Sequence, residues 1–267
     1  MKSSRYLWGS MGIIALLSTC LFIVGLLYAI NVILFPKASN VGVPQATAQP
    51  VNDPLAEDKI QIVAFGDSLT RGAGDRTGEG YVRKVELLIE QETKKPVFVL
   101  GNYAINGYHT DELLHDLETN PTMADIAAKA NIIMLTIGGN DLFRLEQDNM
   151  STEVVKAEVL NQRLPEPLAN LTKILQKLAE INPQATIVYI GLYNPFWDLA
   201  EAEERSLVIQ KWNNGAFETA NRYPNMTVVP TFDLFQKNIN KYIASDHFHP
   251  NELGYQRIAE RVLQAIQ

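Results

Sequence analysis

From residue 60 onward the chain repeats one pattern. Short runs, apolar at nearly every position, alternate with segments whose apolar residues recur at helical spacing. The runs at 60–65, 97–103, 132–137 and 186–190 read as strands, with a weaker one at 227–229. Between and after them, 81–92, 110–117, 154–181, 201–222 and 252–266 read as helices. In the first helix Val82, Val85, Leu88 and Ile89 share one face, and the third is expected to break near Pro165-Glu166-Pro167. A strand that is apolar throughout needs cover on both faces, which is the condition of a parallel sheet. Strands of that kind joined through helices predict right-handed crossovers and an α/β fold, a three-layer α/β/α sandwich around a central parallel sheet.

This fold class also says where chemistry belongs, because open parallel sheets bind ligands beyond the carboxyl ends of their strands. Polar, glycine-rich clusters fall there. Gly66-Asp67-Ser68-Leu69-Thr70 follows the first strand, Asn106-Gly107-Tyr108 the second and Gly138-Gly139-Asn140-Asp141 the third. A fourth, Asp246-His247-Phe248-His249-Pro250-Asn251, precedes the last helix. Taken singly, each is an ordinary loop or helix start. Four in this order, all where the fold expects a site, are hard to obtain by chance.

With these four blocks the sequence resembles the SGNH, or GDSL, family of serine esterases and lipases over roughly residues 60–267, nearest to bacterial lysophospholipase and acyl-esterase members. The resemblance implies a flavodoxin-like hydrolase domain at 59–267. It implies Ser68 as nucleophile and Asp246 with His249 as the catalytic pair. It further implies oxyanion donors at the Ser68 and Gly107 amides and the Asn140 side chain, and no cofactor.

The residue types suit that chemistry. A serine hydroxyl needs an imidazole to take its proton during attack, and the other ring nitrogen needs an acceptor to fix its tautomer. Asp246 stands three residues before His249, within reach across one turn. The negative oxygen of a tetrahedral intermediate needs fixed donors. His247 competes with His249 as base, and the Asp-x-x-His spacing favours His249. Asp246, His247 and His249 as metal ligands are set aside, because a closed site takes four. His109 and His115 read as solvated, Asp67 as a turn or helix-start residue and Asp141 as loop support. A phosphate loop and a Gly-x-Ser-x-Gly elbow are both missing around Ser68, and Gly72-Ala73-Gly74 lies too far past the first strand for a dinucleotide loop.

Substrate signals are thinner. Leu142 and Phe143 after the third strand, and Asn194, Phe196 and Trp197 after the fourth, are candidate acyl-pocket residues. The stretch 145–167 is a candidate helical lid. The leading reading is hydrolysis of lipid or small acyl esters. Removal of O-acetyl groups from a cell-wall polysaccharide is the alternative, and an inactive membrane-anchored binding module is an alternative of another class. The last would be expected to have lost one of the block residues, and none is lost.

The N-terminal part reads separately. Residues 11–35 carry no charge, follow Lys2 and Arg5, and precede Lys37. At 1.5 Å per residue they exceed the roughly 30 Å of a bilayer core. The charge bias places residues 1–10 in the cytoplasm and the domain outside, making a single-pass anchor at the cell membrane. The rivals are a secreted protein cleaved after Ala46-Thr47-Ala48 and a lipoprotein modified at Cys20. Residues 36–58, rich in Pro, Ala, Gln and Asn, read as a flexible linker. Cys20 is the one cysteine, so intrachain disulfides and thiolate zinc cages are excluded. The net charge is −7, and with the three cations of the first 37 residues set apart the rest carries −10, which gives no electrostatic reason to bind nucleic acid.

Overall fold

A computed structural model describes residues 2–34, 53–143 and 155–267. The chain divides into two units, Met1–Ala48 and Gln49–Gln267. In the first, α1 (Lys2–Leu34) begins nine residues before the expected anchor. Its segment Met11–Tyr28 has a mean hydropathy of 2.3 and is long and apolar enough to cross a membrane. Cys20 lies within it, exposed. The Ala46–Ala48 cleavage candidate falls outside the described residues.

The second unit runs β1 (Ile60–Gly66), α2 (Ser68–Arg71), α3 (Gly80–Thr93), β2 (Val97–Asn102), α4 (Thr110–Thr119), α5 (Pro121–Ala127) and β3 (Ile132–Thr136). It continues with α6 (Gly139–Phe143), α7 (Ala157–Arg163), α8 (Pro165–Ile181), β4 (Thr186–Ile190), α9 (Ala202–Ala220) and β5 (Met226–Val229). It ends with α10 (Phe232–Gln236), α11 (Ile239–Tyr242) and α12 (Glu252–Ile266). The sheet order is β2-β1-β3-β4-β5 with every pair parallel.

Strand alternation divides the core into two layers. Ile60, Ile62 and Ala64 of β1, Ile132 and Met134 of β3, and Val188 and Ile190 of β4 face α3 and α12, through Tyr81, Val85, Ile89, Tyr255, Ile258 and Val262. Val63, Phe65, Ile133, Leu135, Ile187 and Tyr189 face the opposite way, onto Leu113, Leu117, Leu171, Leu175, Leu178, Ile209 and Trp212. Successive side chains of a strand point to opposite faces, so continuously apolar strands produce two buried layers. The sheet is therefore covered by helices on both sides, as the sequence predicts.

The order in which strands are added reverses between β1 and β3, since β1 is followed outward by β2 while β3 leads the other way to β4 and β5. Such a switch point opens a crevice at the carboxyl ends of the two strands. Gly66 makes the close approach there possible. Its φ is +121°, and a Cβ would stand 1.8 Å from the Thr136 carbonyl oxygen.

The helix expected at 154–181 breaks at Leu164, where Pro165 starts α8 in the first turn, a position that needs no N–H. Within the lid candidate, Leu160 of α7 is fully buried in the core and Arg163 Nη1 donates to the Leu142 carbonyl at 2.8 Å. That part is body rather than lid, while residues 145–154 lie outside the described residues. The end of the expected linker also joins the body. Pro54 is buried, Leu55 packs on the α3/α12 layer, and Lys95 Nζ donates to the Leu55 and Ala56 carbonyls at 2.6 and 2.8 Å.

Candidate active site

The turn after β1 carries Ser68 as the first residue of α2. Asp67 caps that helix, its Oδ1 accepting the Leu69 N–H at 3.0 Å. The same carboxylate oxygen accepts the Thr136 hydroxyl at 2.6 Å. Thr136 in turn lies 2.7 Å from Thr70 Oγ1, which lies 2.8 Å from the Tyr81 hydroxyl. This buried polar chain ties the Ser68 turn to the end of β3. Burial pushes the Asp67 carboxyl up from its ordinary value, and the Thr136 and Leu69 bonds act against that. Asp67 is thus a helix-start residue, as its position beside Ser68 suggests.

Opposite stands the segment between α11 and α12. A bridge between Ile243 and Pro250 and the bond from Ala244 N–H to the His249 carbonyl at 2.8 Å close it into a tight loop. Tyr193, after β4, donates its hydroxyl to the Phe248 carbonyl at 2.7 Å and stacks on Phe235 with ring centroids 4.0 Å apart. Asp246 Oδ1 accepts the N–H groups of Phe248 and His249, both at 3.0 Å. Its Oδ2 lies 2.7 Å from His249 Nδ1, and His249 Nε2 lies 2.7 Å from Ser68 Oγ. Partial burial pushes the Asp246 carboxyl up. The bonds from the His249 ring and the two amides outweigh it and hold the group down at about 2. An ionised Asp246 fixes the ring proton on Nδ1, so Nε2 is free to accept the Ser68 hydroxyl.

His247 takes no part in this line. It is exposed, with φ +57°. His115 is exposed, and His109 precedes α4, its N–H donating to Glu112 Oε2 at 2.9 Å. Asp141 accepts both the N–H and the hydroxyl of Thr110, at 3.1 and 2.6 Å, and so anchors the start of α4. Burial raises its carboxyl, with the Thr110 bonds opposing.

Asn140 is buried in α6 after β3, and one of its amide hydrogens reaches the Tyr108 carbonyl at 2.8 Å. The other has no acceptor among the described residues. Gly107 turns the chain after β2 with φ +80°, a conformation glycine adopts without strain. The N–H groups of Ser68 and Gly107 donate to no acceptor among the described residues. Ser68, Gly107 and Asn140 therefore follow three adjacent strands, β1, β2 and β3, at the carboxyl end of the sheet.

The five pocket candidates separate. Phe143 and Phe196 stand edge to face at 5.4 Å, and both contact Phe248 at 6.0 and 6.1 Å. Phe248 itself stands edge-on to the His249 ring at 5.0 Å. Leu142 is fully buried in the core beneath them. Asn194 does not line a pocket. It is buried with its amide on the Ala202 carbonyl and Ser206 Oγ, both at 3.0 Å, and its Oδ1 on the Phe196 N–H. Trp197 turns away to Phe232, ring centroids 6.2 Å apart, beside α10 and α11. The sequence reading places Tyr193 in the segment after the fourth strand that could line a pocket and Phe248 in the fourth block without a role of its own, and it misses Thr136. Thr136 did leave a signal, the one polar residue in an otherwise apolar strand.

A hydroxyl, an imidazole and a carboxylate in line at the switch point of a doubly wound parallel sheet define the layout of an SGNH hydrolase. The chain belongs to the GDSL-like Lipase/Acylhydrolase family, whose model matches residues 64–257, and it is a carboxylic ester hydrolase. It is 33% identical over 240 residues to the uncharacterized protein YpmR of Bacillus subtilis (strain 168), covering 88% of this chain and 92% of that one. It is 28% identical over 218 residues to the spore germination lipase LipC of Bacillus licheniformis, covering 77% and 96%. The crystal structure of the lipase Lip_vut3 from a goat rumen metagenome superposes with a TM-score of 0.64 at 26% identity, covering 77% of this chain and 96% of that one.

Proposed function

We propose that the protein hydrolyses lipid or other small acyl esters through an acyl-enzyme on Ser68. The observation that carries this reading is the continuous line Ser68 Oγ, His249 Nε2, His249 Nδ1, Asp246 Oδ2, with both links at 2.7 Å. In the first half-reaction Ser68 Oγ bonds to the ester carbonyl carbon while His249 Nε2 takes the hydroxyl proton. The carbonyl oxygen becomes negative and meets the amides of Ser68 and Gly107 and the free amide hydrogen of Asn140. The intermediate collapses, the C–O bond to the leaving alcohol breaks, and Nε2 returns its proton to that alcohol. Water repeats the sequence on the acyl-enzyme and releases the acid. Asp246 stays ionised throughout and stabilises the imidazolium.

Removal of O-acetyl groups from a polysaccharide would use the same line. The packing of Phe143 and Phe196 on Phe248, which stands against the imidazole, favours short acyl groups and so supports that second reading. Ser68→Ala should abolish turnover of p-nitrophenyl esters and fluorophosphonate labelling while the fold is kept; retained turnover would remove Ser68 from the reaction.

The apolar length of α1 supports a single-pass anchor, and Lys2 and Arg5 before the apolar run support a domain on the outer face. Membranes washed with alkaline carbonate should retain the full-length chain, and external protease should release the domain. A shortened chain in the culture medium would show cleavage instead.

A further inference from the structure

We infer that Phe196 sets the upper length of the acyl chain the site accepts, by closing the space beside His249 against Phe143 and Phe248. The inference rests on the reading of Ser68 and His249 given above and narrows its substrate class to short acyl esters, leaving out long-chain lipids.

Three observations carry it. First, the three rings contact one another at 5.4 to 6.1 Å, and the innermost, Phe248, stands against the imidazole. Phe143 and Phe248 are buried, and the three rings pack together on the side of the imidazole that Phe248 occupies. Second, Phe196 is the only half-buried ring of the three, so it can be truncated without opening the sheet. Third, its backbone is pinned on both sides. Its N–H donates to Asn194 Oδ1 at 3.0 Å, and its carbonyl accepts from Arg205 Nη2 at 3.2 Å. Arg205 also donates to the Ala200 carbonyl. It is buried in α9, and its Nε has no partner among the described residues. Burial lowers its affinity for the proton, with Glu201 and Glu204 opposing. Burying a guanidinium without a paired carboxylate is costly. Here its hydrogen bonds go to the loop that carries Phe196, which makes Arg205 a positioning residue for that ring.

A packed, pinned ring does not yield to a flexible acyl chain without losing its contacts. Replacing it with a small side chain leaves a space lined by Phe143 and Phe248, and each further methylene that such a space admits is worth about tenfold or more in kcat/KM.

The test uses the full-length chain in detergent and compares kcat/KM for p-nitrophenyl acetate, butyrate and octanoate. Wild type should prefer acetate or butyrate. Phe196→Ala should raise the octanoate-to-acetate ratio by about tenfold or more, and Phe196→Leu by less. Arg205→Met, which frees the loop and leaves the ring in place, should move the ratio in the same direction. Leu207→Ala, an apolar truncation at a site 63% exposed on α9, should leave the ratio unchanged. An unchanged ratio in both Phe196 variants, with Ser68 still labelled by a fluorophosphonate, would overturn the gate and spare the catalytic reading. A wild type that already prefers octanoate would do the same. Absence of labelling and of hydrolysis in wild type would overturn both.

Discussion

Replacing Asp246 by Asn exchanges one carboxylate oxygen for an NH₂ group and should nearly stop the reaction. The carboxylate uses its two oxygens differently. Oδ1 accepts the amides of Phe248 and His249 at 3.0 Å, and Oδ2 lies 2.7 Å from His249 Nδ1. In Asp246→Asn the side-chain oxygen keeps the two amides, because turning the NH₂ toward them would set it against two N–H donors. The NH₂ therefore faces Nδ1 and donates to it. The ring must then carry its proton on Nε2, which can no longer accept from the Ser68 hydroxyl 2.7 Å away. A tautomer reversal of this kind costs about 10⁴ in kcat, or about 5 kcal/mol of transition-state stabilisation.

The cost to folding is much smaller. The Asp246 carboxyl is depressed from 3.8 to about 2, so its contribution is fully present above the unfolded value and is lost as pH falls through about 2. The side chain is 35% exposed, and allowing for solvent screening this amounts to about 1 kcal/mol at neutral pH. Steady-state kinetics with p-nitrophenyl acetate, together with thermal melts of both proteins, separate the two effects. A kcat within about tenfold of wild type would refute the tautomer argument, as would a loss of activity that simply tracks unfolding.

Other substitutions probe neighbouring links. His249→Ala should cripple turnover while the exposed His247→Ala leaves it nearly intact; the reverse order, measured by kcat on one ester, would reassign the base. Asn140→Ala should lower kcat by about 10²–10³ with little change in KM, since its free hydrogen serves the transition state, and an effect confined to KM would contradict that role. Thr136→Val keeps the shape but removes the donor to buried Asp67 and the acceptor of the Thr70 N–H, bonds of 2.6 and 3.1 Å. Urea unfolding should show a loss of about 2–4 kcal/mol, and an unchanged midpoint would show that the buried chain is not structural.

Most of the framework was legible because its signals are local. Continuous apolarity in 60–65 and 132–137 encodes cover on both sheet faces, and all five strands lie within one or two residues of where the sequence puts them. The helix 121–127 lies outside the helices read from the sequence. Asn120 Oδ1 in fact caps the Thr122 N–H, and proline occupies the first helical position. Short helices such as α10 and α11 carry too few turns to show a period. At the site, the block residues were legible through their order along the chain. Side-chain direction was not. Asn194 and Trp197 follow β4 as closely as Phe196 does, yet one folds back on α9 and the other turns toward α10, and nothing in the local sequence distinguishes them. Arg205 lies in a helix rich in exposed polar residues, and its burial depends on a loop that it holds itself.

Mapping the covalent adduct is the shortest route to the heart of the matter. The full-length chain is treated with a fluorophosphonate, digested, and its peptides weighed. One phosphonyl group should sit on the peptide that contains Ser68, and it should be missing when His249 is replaced by Ala. An adduct on a different side chain, or brisk ester turnover with residue 68 unmodified, would mean that the 2.7 Å contact between hydroxyl and imidazole is not where the reaction occurs.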